Sequence, residues 1–149
     1  GDPPMRRAST RSSAVLAGIA ALAAACSSET GTGPGDEATG VLFLAREAPA
    51  SAVMDALFEG TVKLDARGCL RLDSGRTVVW PYGFEPYVGG GALRVRDASG
   101  RDVGRIGGAF RFGGGEVDAL HDGLGLPAAA RAEAQARCPG GFWVVGEVP

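Results

Sequence analysis

His121 is the only histidine in the sequence, and it lies in the segment DALHDG between Asp118 and Asp122. On one helical turn the imidazole and the two carboxylates would offer nitrogen and oxygen ligands to a divalent cation. A solvated polar cluster at a helix end explains the same residues more simply. Without a second histidine there is no familiar divalent-metal hydrolase site, and we predict neither a metal nor another cofactor.

The sequence supports nucleophilic catalysis no more strongly than it supports a metal site. A Ser-His-Asp triad would need a serine beside His121, and no serine lies in the nucleophile-elbow motif G-x-S-x-G. The candidate serines are Ser51, Ser74 and Ser99. The glycine runs at 89–91 and 113–115 lack the lysine and Ser/Thr of a phosphate-binding loop, so they are interpreted as turns. The sequence therefore favours a protein without catalytic residues.

Four aromatic side chains crowd the segment WPYGFEPY, and they are Trp80, Tyr82, Phe84 and Tyr87. In a loop between strands they would be candidate binding residues, because Trp and Tyr give large contact areas at small entropic cost. Alternatively, Trp80 and Phe84 plug the end of the domain and the two tyrosines cover it. We favour the plug, with Trp80 in the interior and Trp143 partly exposed at the rim.

The compartment is indicated by the apolar run AVLAGIAALAAACSS at residues 14–28. Its apolar part, residues 14–25, would be about 18 Å long as a helix, well short of the ~30 Å hydrocarbon core. Arg6, Arg7 and Arg11 precede the run and small residues follow it. A basic start, a short apolar region and small residues at a cleavage site are typical of a secretory signal peptide, here of the Sec type.

The residues LAAAC at 22–26 resemble the lipobox of bacterial lipoproteins, with Ala23 where leucine is usual. The resemblance implies that residues 1–25 are removed (residues 1–4 lying ahead of the start at Met5) and that Cys26 carries a lipid. The protein would then be anchored at the extracytoplasmic face of a cell membrane. An ordinary signal peptide with an incidental cysteine is the alternative.

The segment SSETGTGPGDEATG at 27–40 has the composition of a flexible tether. It leaves residues 41–149, which suit one small domain. Without residues 1–25 the chain keeps 12 basic and 16 acidic residues, a net charge near −4. This charge argues against a nucleic-acid partner, which binds basic stripes, and against anionic headgroups as the main target.

Two cysteines remain in the domain, Cys69 and Cys138. Outside the cytoplasm an even pair most simply forms a disulfide, and a pair of buried free thiols is the alternative. Two cysteines and one histidine lack the paired spacing of a zinc site.

The domain shows mostly period-two hydrophobicity. We predict a short amphipathic helix over 48–59, a hairpin of 61–65 with 69–73, and a strand at 77–80 that Pro81 ends. A second hairpin pairs 92–97 with 102–106, and a strand at 109–112 is closed by the glycines at 113–115. A short helix near 117–124 and a helix over 127–137 precede a final strand at 142–148. This pattern predicts a mainly β fold, a small antiparallel barrel of the OB or SH3-like kind with one helical insertion before the last strand.

Four segments (GCLRL, VVWPYGFE, GGG and CPGGFWVVGEV) together resemble an uncharacterised group of small exported bacterial proteins and lipoproteins. The resemblance covers residues 59–148 and implies the barrel and the Cys69–Cys138 pairing, without an activity. We therefore expect a lipid-anchored, non-catalytic module that binds an envelope protein or glycan. The alternative is a small extracytoplasmic hydrolase that uses His121 and nearby carboxylates.

Overall fold

A computed structural model of the 149-residue chain describes residues 40–149. The expected signal peptide, Cys26 and residues 27–39 of the tether lie outside the described residues. The strands are β1 (Leu44–Ala45), β2 (Ala56–Leu64), β3 (Leu70–Leu72), β4 (Thr77–Trp80), β5 (Glu85–Gly89), β6 (Ala92–Arg96), β7 (Asp102–Arg105), β8 (Ala109–Val117) and β9 (Phe142–Val145). A 3₁₀ helix (Asp122–Leu124) and the helix α1 (Ala128–Arg137) separate β8 from β9.

Five strands close into a barrel. Its order is β4-β3-β2-β8-β9, and β9 pairs back onto β4. This closing pair is parallel, with Val78 opposite Trp143, whereas the other pairs around the barrel are antiparallel. The predicted small barrel with one helix before its last strand is confirmed, and five strands are the number found in the OB fold.

The strands β5, β6 and β7, which follow β4 and precede β8 in the chain, form a separate three-stranded antiparallel sheet. The turn between β5 and β6 consists of Gly90 and Gly91, both at positive φ, as a two-residue hairpin requires. The turn between β6 and β7 is held by Asp97, whose carboxylate accepts bonds from the amides of Ser99 and Arg101 at 2.9 Å. The predicted 92–97/102–106 hairpin is therefore confirmed.

Alternating residues of β4 and β9 face two different hydrophobic cores. Val78 and Trp80 point into the barrel with Trp143 and Val145, while the residues between them point outward. The interior core consists of Val62, Leu70, Leu72, Val78, Trp80, Val95, Phe110, Phe112, Trp143 and Val145. The outer core consists of Leu44, Val79, Leu120, Leu124, Leu126, Ala134, Phe142 and Val144. Both faces of these two strands are thus covered.

The two tryptophans are both interior residues. Trp80 is fully buried, as predicted, and its ring lies 5.5 Å from that of Phe43 and 6.2 Å from that of Phe84. Trp143 is only 6% exposed, so the expectation that it lies partly exposed at the rim is wrong. Gly114 explains the difference, because a Cβ at that position would lie 2.6 Å from the indole nitrogen of Trp143. The missing side chain leaves room for the indole.

The sulfur atoms of Cys69 and Cys138 lie 1.96 Å apart, at disulfide distance, with 5.9 Å between the Cα atoms. The pair joins the start of β3 to the end of α1. Next to it, Arg71 donates from Nε to Asp65 at 2.7 Å and from Nη1 to the carbonyl of Pro139 at 2.8 Å. The helix and the hairpin β2–β3 are thus connected by covalent and polar contacts.

The predicted helix over 48–59 is wrong. Residues 48–55 form an irregular segment, and β2 begins at Ala56 and pairs with β8 from Ala56 to Thr61. Apolar residues at 57 and 58 fit a helical spacing, but in the strand Phe58 faces the interior core and Leu57 faces solvent. Pairing with β8 therefore overrides the local pattern.

The glycines at 113–115 do not close a strand, as was predicted, but lie within β8. Gly113 and Gly114 pair with β2, and Gly114 and Gly115 pair with β9. A Cβ on Gly115 would lie 2.9 Å from Met54 Cβ, so the absence of a side chain at Gly115 permits the segment around Met54 to pass over β8. The predicted short helix near 117–124 is reduced to the 3₁₀ turn, and the last strand ends at Val145.

Candidate functional site

The four aromatic candidates of WPYGFEPY do not form one surface. Trp80 is in the interior core and Phe84 packs against that core. Tyr87 lies in β5, a strand that the sequence did not predict, where its hydroxyl donates to Asp102 at 2.5 Å and Arg96 lies 4.8 Å from its ring centre. Only Tyr82 is largely exposed, at 49%. The plug arrangement thus accounts for Trp80 and Phe84, and Tyr82 is the aromatic that a ligand can reach.

The polar cluster around His121 has a local structural role. The imidazole Nδ1 accepts a hydrogen bond from the amide of Gly123 at 3.2 Å, which caps the 3₁₀ helix. Asp122 pairs with Arg131 at 2.7 Å, and the side chain of Asp118 is 97% exposed. Among residues 40–149 no group of three or more His, Cys, Asp or Glu side chains is placed to hold a metal ion.

A contrasting surface consists of exposed apolar side chains at the end of the barrel where β2 begins. We call Val53, Met54, Leu57 and Tyr82 the apolar patch; their exposed fractions are 47%, 38%, 57% and 49%. Val53 and Tyr82 line one cavity, and Met54 and Leu57 follow Val53 closely along the chain. Contiguous exposed apolar surface is typical of interaction sites.

The patch is presented by the strap, defined as residues 47–55 between β1 and β2. Its first residue donates its amide to the carbonyl of Gly125 at 2.8 Å. Further on, it crosses two glycines of the barrel: a Cβ on Gly146 would lie 3.2 Å from Val53 Cβ, and one on Gly115 would lie 2.9 Å from Met54 Cβ. The strap is therefore seated on β8 and the end of β9, with Val53 and Met54 in contact with the barrel and partly open to solvent.

Two cavities flank the strap, and Arg46, Pro49 and Ala50 line both of them. The larger, about 420 Å³, extends to His121 and Leu124, and the smaller, about 300 Å³, extends to Tyr82 and Glu147.

Arg46 is the polar group at the centre of this region. Its Nε is buried and has no hydrogen-bond partner among the described residues. Burial also lowers the pKa of the guanidinium, because desolvation disfavours the charged form. Arg46 lines both cavities and takes part in no ion pair among residues 40–149, so a ligand carboxylate or carbonyl placed in either cavity would meet an unpaired guanidinium.

Sequence reasoning missed Arg46 and the strap because the apolar residues at 52, 53, 57 and 58 suggested a helix. The Ala- and Pro-rich composition of residues 48–52 was the available signal against a helix. Comparison with protein-family models, with curated proteins and with solved structures finds no match to this chain. Within residues 40–149, no helix has the length and apolar character needed to cross a membrane.

Proposed function

We propose that this protein is a lipid-anchored, non-catalytic module that binds a protein of the cell envelope through the apolar patch. The observation that carries the proposal is the exposure of four large apolar side chains beside the unsatisfied Arg46. A partner segment with apolar side chains and one carboxylate or carbonyl oxygen would fit this combination.

A protein partner is favoured over a glycan by the chemistry of the patch. Three of its four side chains are aliphatic or thioether groups, and Tyr82 is its single aromatic residue. Tyr87, the other tyrosine, has Arg96 over its ring and Asp102 on its hydroxyl. Burial of aliphatic side chains in a desolvated centre is typical of protein interfaces.

The proposed anchor is based on the lipobox resemblance at Cys26. The position of Gly40 supports a placement in which the tether and the apolar patch are at opposite ends of the barrel. Gly40, the first described residue, accepts a hydrogen bond from the Arg137 side chain, and the amide of Leu42 donates to the carbonyl of Gly68 at 2.8 Å. Gly68 lies just beyond the end of β2, whereas the patch lies at its start, about 25 Å away at ~3.3 Å per residue. The patch is therefore at the barrel end opposite Gly40 and accessible to a partner.

Crosslinking in intact cells tests the binding role. A photoreactive amino acid in place of Tyr82 should give a discrete protein adduct, and Leu57→Ser should abolish it. Glu59→Ser is the matched control, because Glu59 is an exposed polar residue of β2 that lies two positions from Leu57 on the same face of the strand. Equal adduct yields from the two serine variants would contradict the proposal.

The anchor and the enzyme alternative have separate tests. The mature protein should partition into the detergent phase and carry a diacylglyceryl group on Cys26, and a Cys26→Ser protein that still fractionates with membranes would argue against the anchor. Cells that carry only His121→Ala protein should show the same phenotype as cells with the parent protein. The yield of the adduct formed from position 82 should also be unchanged. Loss of the phenotype with the adduct retained would favour the hydrolase alternative.

A further inference from the structure

A second concave surface lies where β2 ends, between that strand and the turns β5–β6 and β7–β8. It is a groove of about 630 Å³ with Leu93 and Ile106 in its lining. We call it the basic groove, because the exposed Lys63 and Arg105 line it and no acidic residue does. Among residues 40–149, neither of these cations takes part in an ion pair. Leu64, also exposed, lies beside them.

The basic groove is at the same end of the barrel as Gly40. Lys63 and Leu64 end β2, and Gly68, which contacts residues 40 and 42, follows four residues after Leu64. Fourteen residues lead from Cys26 to Gly40. Fully extended, they reach no further than about 50 Å. The tether is therefore attached at the end of the barrel that carries the groove, and its length lets that end reach the membrane.

We propose that the basic groove docks on the anionic surface of the membrane to which Cys26 is anchored. Lys63 and Arg105 contact lipid phosphates, and Leu64 enters the interface between headgroups and acyl chains. The inference rests on the proposed anchor and assigns the groove a partner of its own. Each basic residue near an anionic surface strengthens binding roughly fivefold. The lipid anchor multiplies this weak contact by holding the groove at high local lipid concentration.

The overall acidity of the chain does not oppose this docking. Residues 40–149 contain 12 basic and 13 acidic residues, so the described domain is close to neutral. Asp65, the acid next to Leu64, is paired with Arg71 at 2.7 Å. Surface charges act over about 8 Å at physiological salt, so the unpaired Lys63 and Arg105 outweigh more distant acids. Headgroup contact then orients a protein whose main attachment is the anchor, with the apolar patch directed away from the bilayer.

Lys63 makes the test specific, because it is the only lysine in the sequence. The mature lipidated protein is placed in phosphatidylcholine vesicles with or without phosphatidylglycerol, and acylation of Lys63 by an amine-reactive ester is followed by peptide mapping. We expect acylation to be about threefold slower or more with phosphatidylglycerol. High salt and Arg105→Gln should both remove the protection.

Two controls separate docking from a general effect of the anionic surface. Arg101→Lys places a second amine near the C-terminal carbonyl of Pro149, away from the groove, and its acylation rate should be the same in both vesicles. Arg111→Gln removes an equal charge from the outside of β8 and should keep Lys63 protected.

Equal Lys63 rates in the two vesicles, or protection that survives Arg105→Gln, would overturn the inference. So would Lys63 protection found only in whole cells, because that result indicates a protein in the groove. Recovery of the protein in the vesicle-free supernatant would instead contradict the anchor, so the two failures are distinguishable.

Discussion

The two faces of β4 and β9 differ in composition and in the elements that cover them. The barrel interior is rich in aromatic residues: Trp80, Phe110 and Phe112 are in mutual contact, and Trp143 belongs to the same cluster. The outer core is mainly aliphatic and is covered by the segment between β8 and β9, including α1. The interior thus holds the barrel together, while the outer core attaches a helix to it.

The stability of the helix α1 depends on its packing against the barrel. The helix α1 has ten residues and contains one fully buried residue, Ala134. Isolated helices of this length are marginal in water, so packing and the Cys69–Cys138 link must hold it. We therefore expect damage to the interior to unfold the whole domain and damage to the outer core to release the helix region first.

The largest effect is expected from Trp80→Ala. Removing a fully buried indole should cost about 3–5 kcal/mol, which for a domain of this size is a large share of the free energy of unfolding. Thermal and denaturant unfolding measure it, and Tyr82→Ala, an exposed neighbour, is the matched control. A Trp80→Ala protein that melts like its parent while the crosslinked adduct is lost would show that the aromatic segment is a recognition surface.

The second-largest effect on stability is expected from removal of the Cys69–Cys138 disulfide. It closes a separation of 69 residues, for which the chain-entropy account gives about 4 kcal/mol as an upper figure. Non-reducing peptide mapping should find Cys69 and Cys138 oxidised. In the Cys69→Ala/Cys138→Ala variant, hydrogen exchange should accelerate in α1 before it does in β8. Free thiols in the native protein, or a uniform change in exchange, would contradict this expectation.

Leu124→Ala tests the outer core by itself. Leu124 is buried near the edge of that core, so its truncation should cost about 2–3 kcal/mol, less than the loss of Trp80. Hydrogen exchange should rise in the 3₁₀ helix and α1, with the barrel strands unchanged below the unfolding transition. Equal acceleration in β2 and β8 would mean that the two cores unfold as one unit.

The smallest effect on stability is expected in the β5–β6–β7 sheet, where Asp102 accepts hydrogen bonds from Tyr87 and Arg94. Hydrogen bonds from Arg94 and Tyr87 lower the pKa of Asp102 to about 2. The folded pKa is below the ordinary value, so this carboxylate stabilises the fold above about pH 4 and loses that effect as the pH falls toward 2. The group is partly exposed, so Asp102→Asn should cost less than about 1 kcal/mol at neutral pH.

Urea unfolding of Asp102→Asn and parent at several pH values checks the sign. The difference in free energy of unfolding should shrink between pH 4 and pH 2, and a difference that grows on acidification would contradict the assignment. Glu85→Gln, at the neighbouring ion pair with Arg96, is a suitable comparison variant.

Several features followed from the sequence because they depend on local chemistry. Period-two hydrophobicity predicted strands at 77–80 and 142–148, and the structure has strands there, the second of them ending at Val145. Pro127 and the Ala-rich segment after it predicted α1, and the even cysteine pair predicted the contact between Cys69 and Cys138. These signals arise from backbone periodicity and from residue chemistry within or near one element.

Other features were decided only by the tertiary structure. The glycines at 113–115 suggest a turn by themselves, but they become strand because β2, β9 and the strap approach them too closely for side chains. The exposure of Val53 and Met54, the orphaned Nε of Arg46 and the proximity of Lys63 to Arg105 likewise depend on contacts between segments far apart in the chain. Local pattern sets which conformations a segment can adopt, whereas long-range packing selects one of them and determines which side chains remain accessible to a partner.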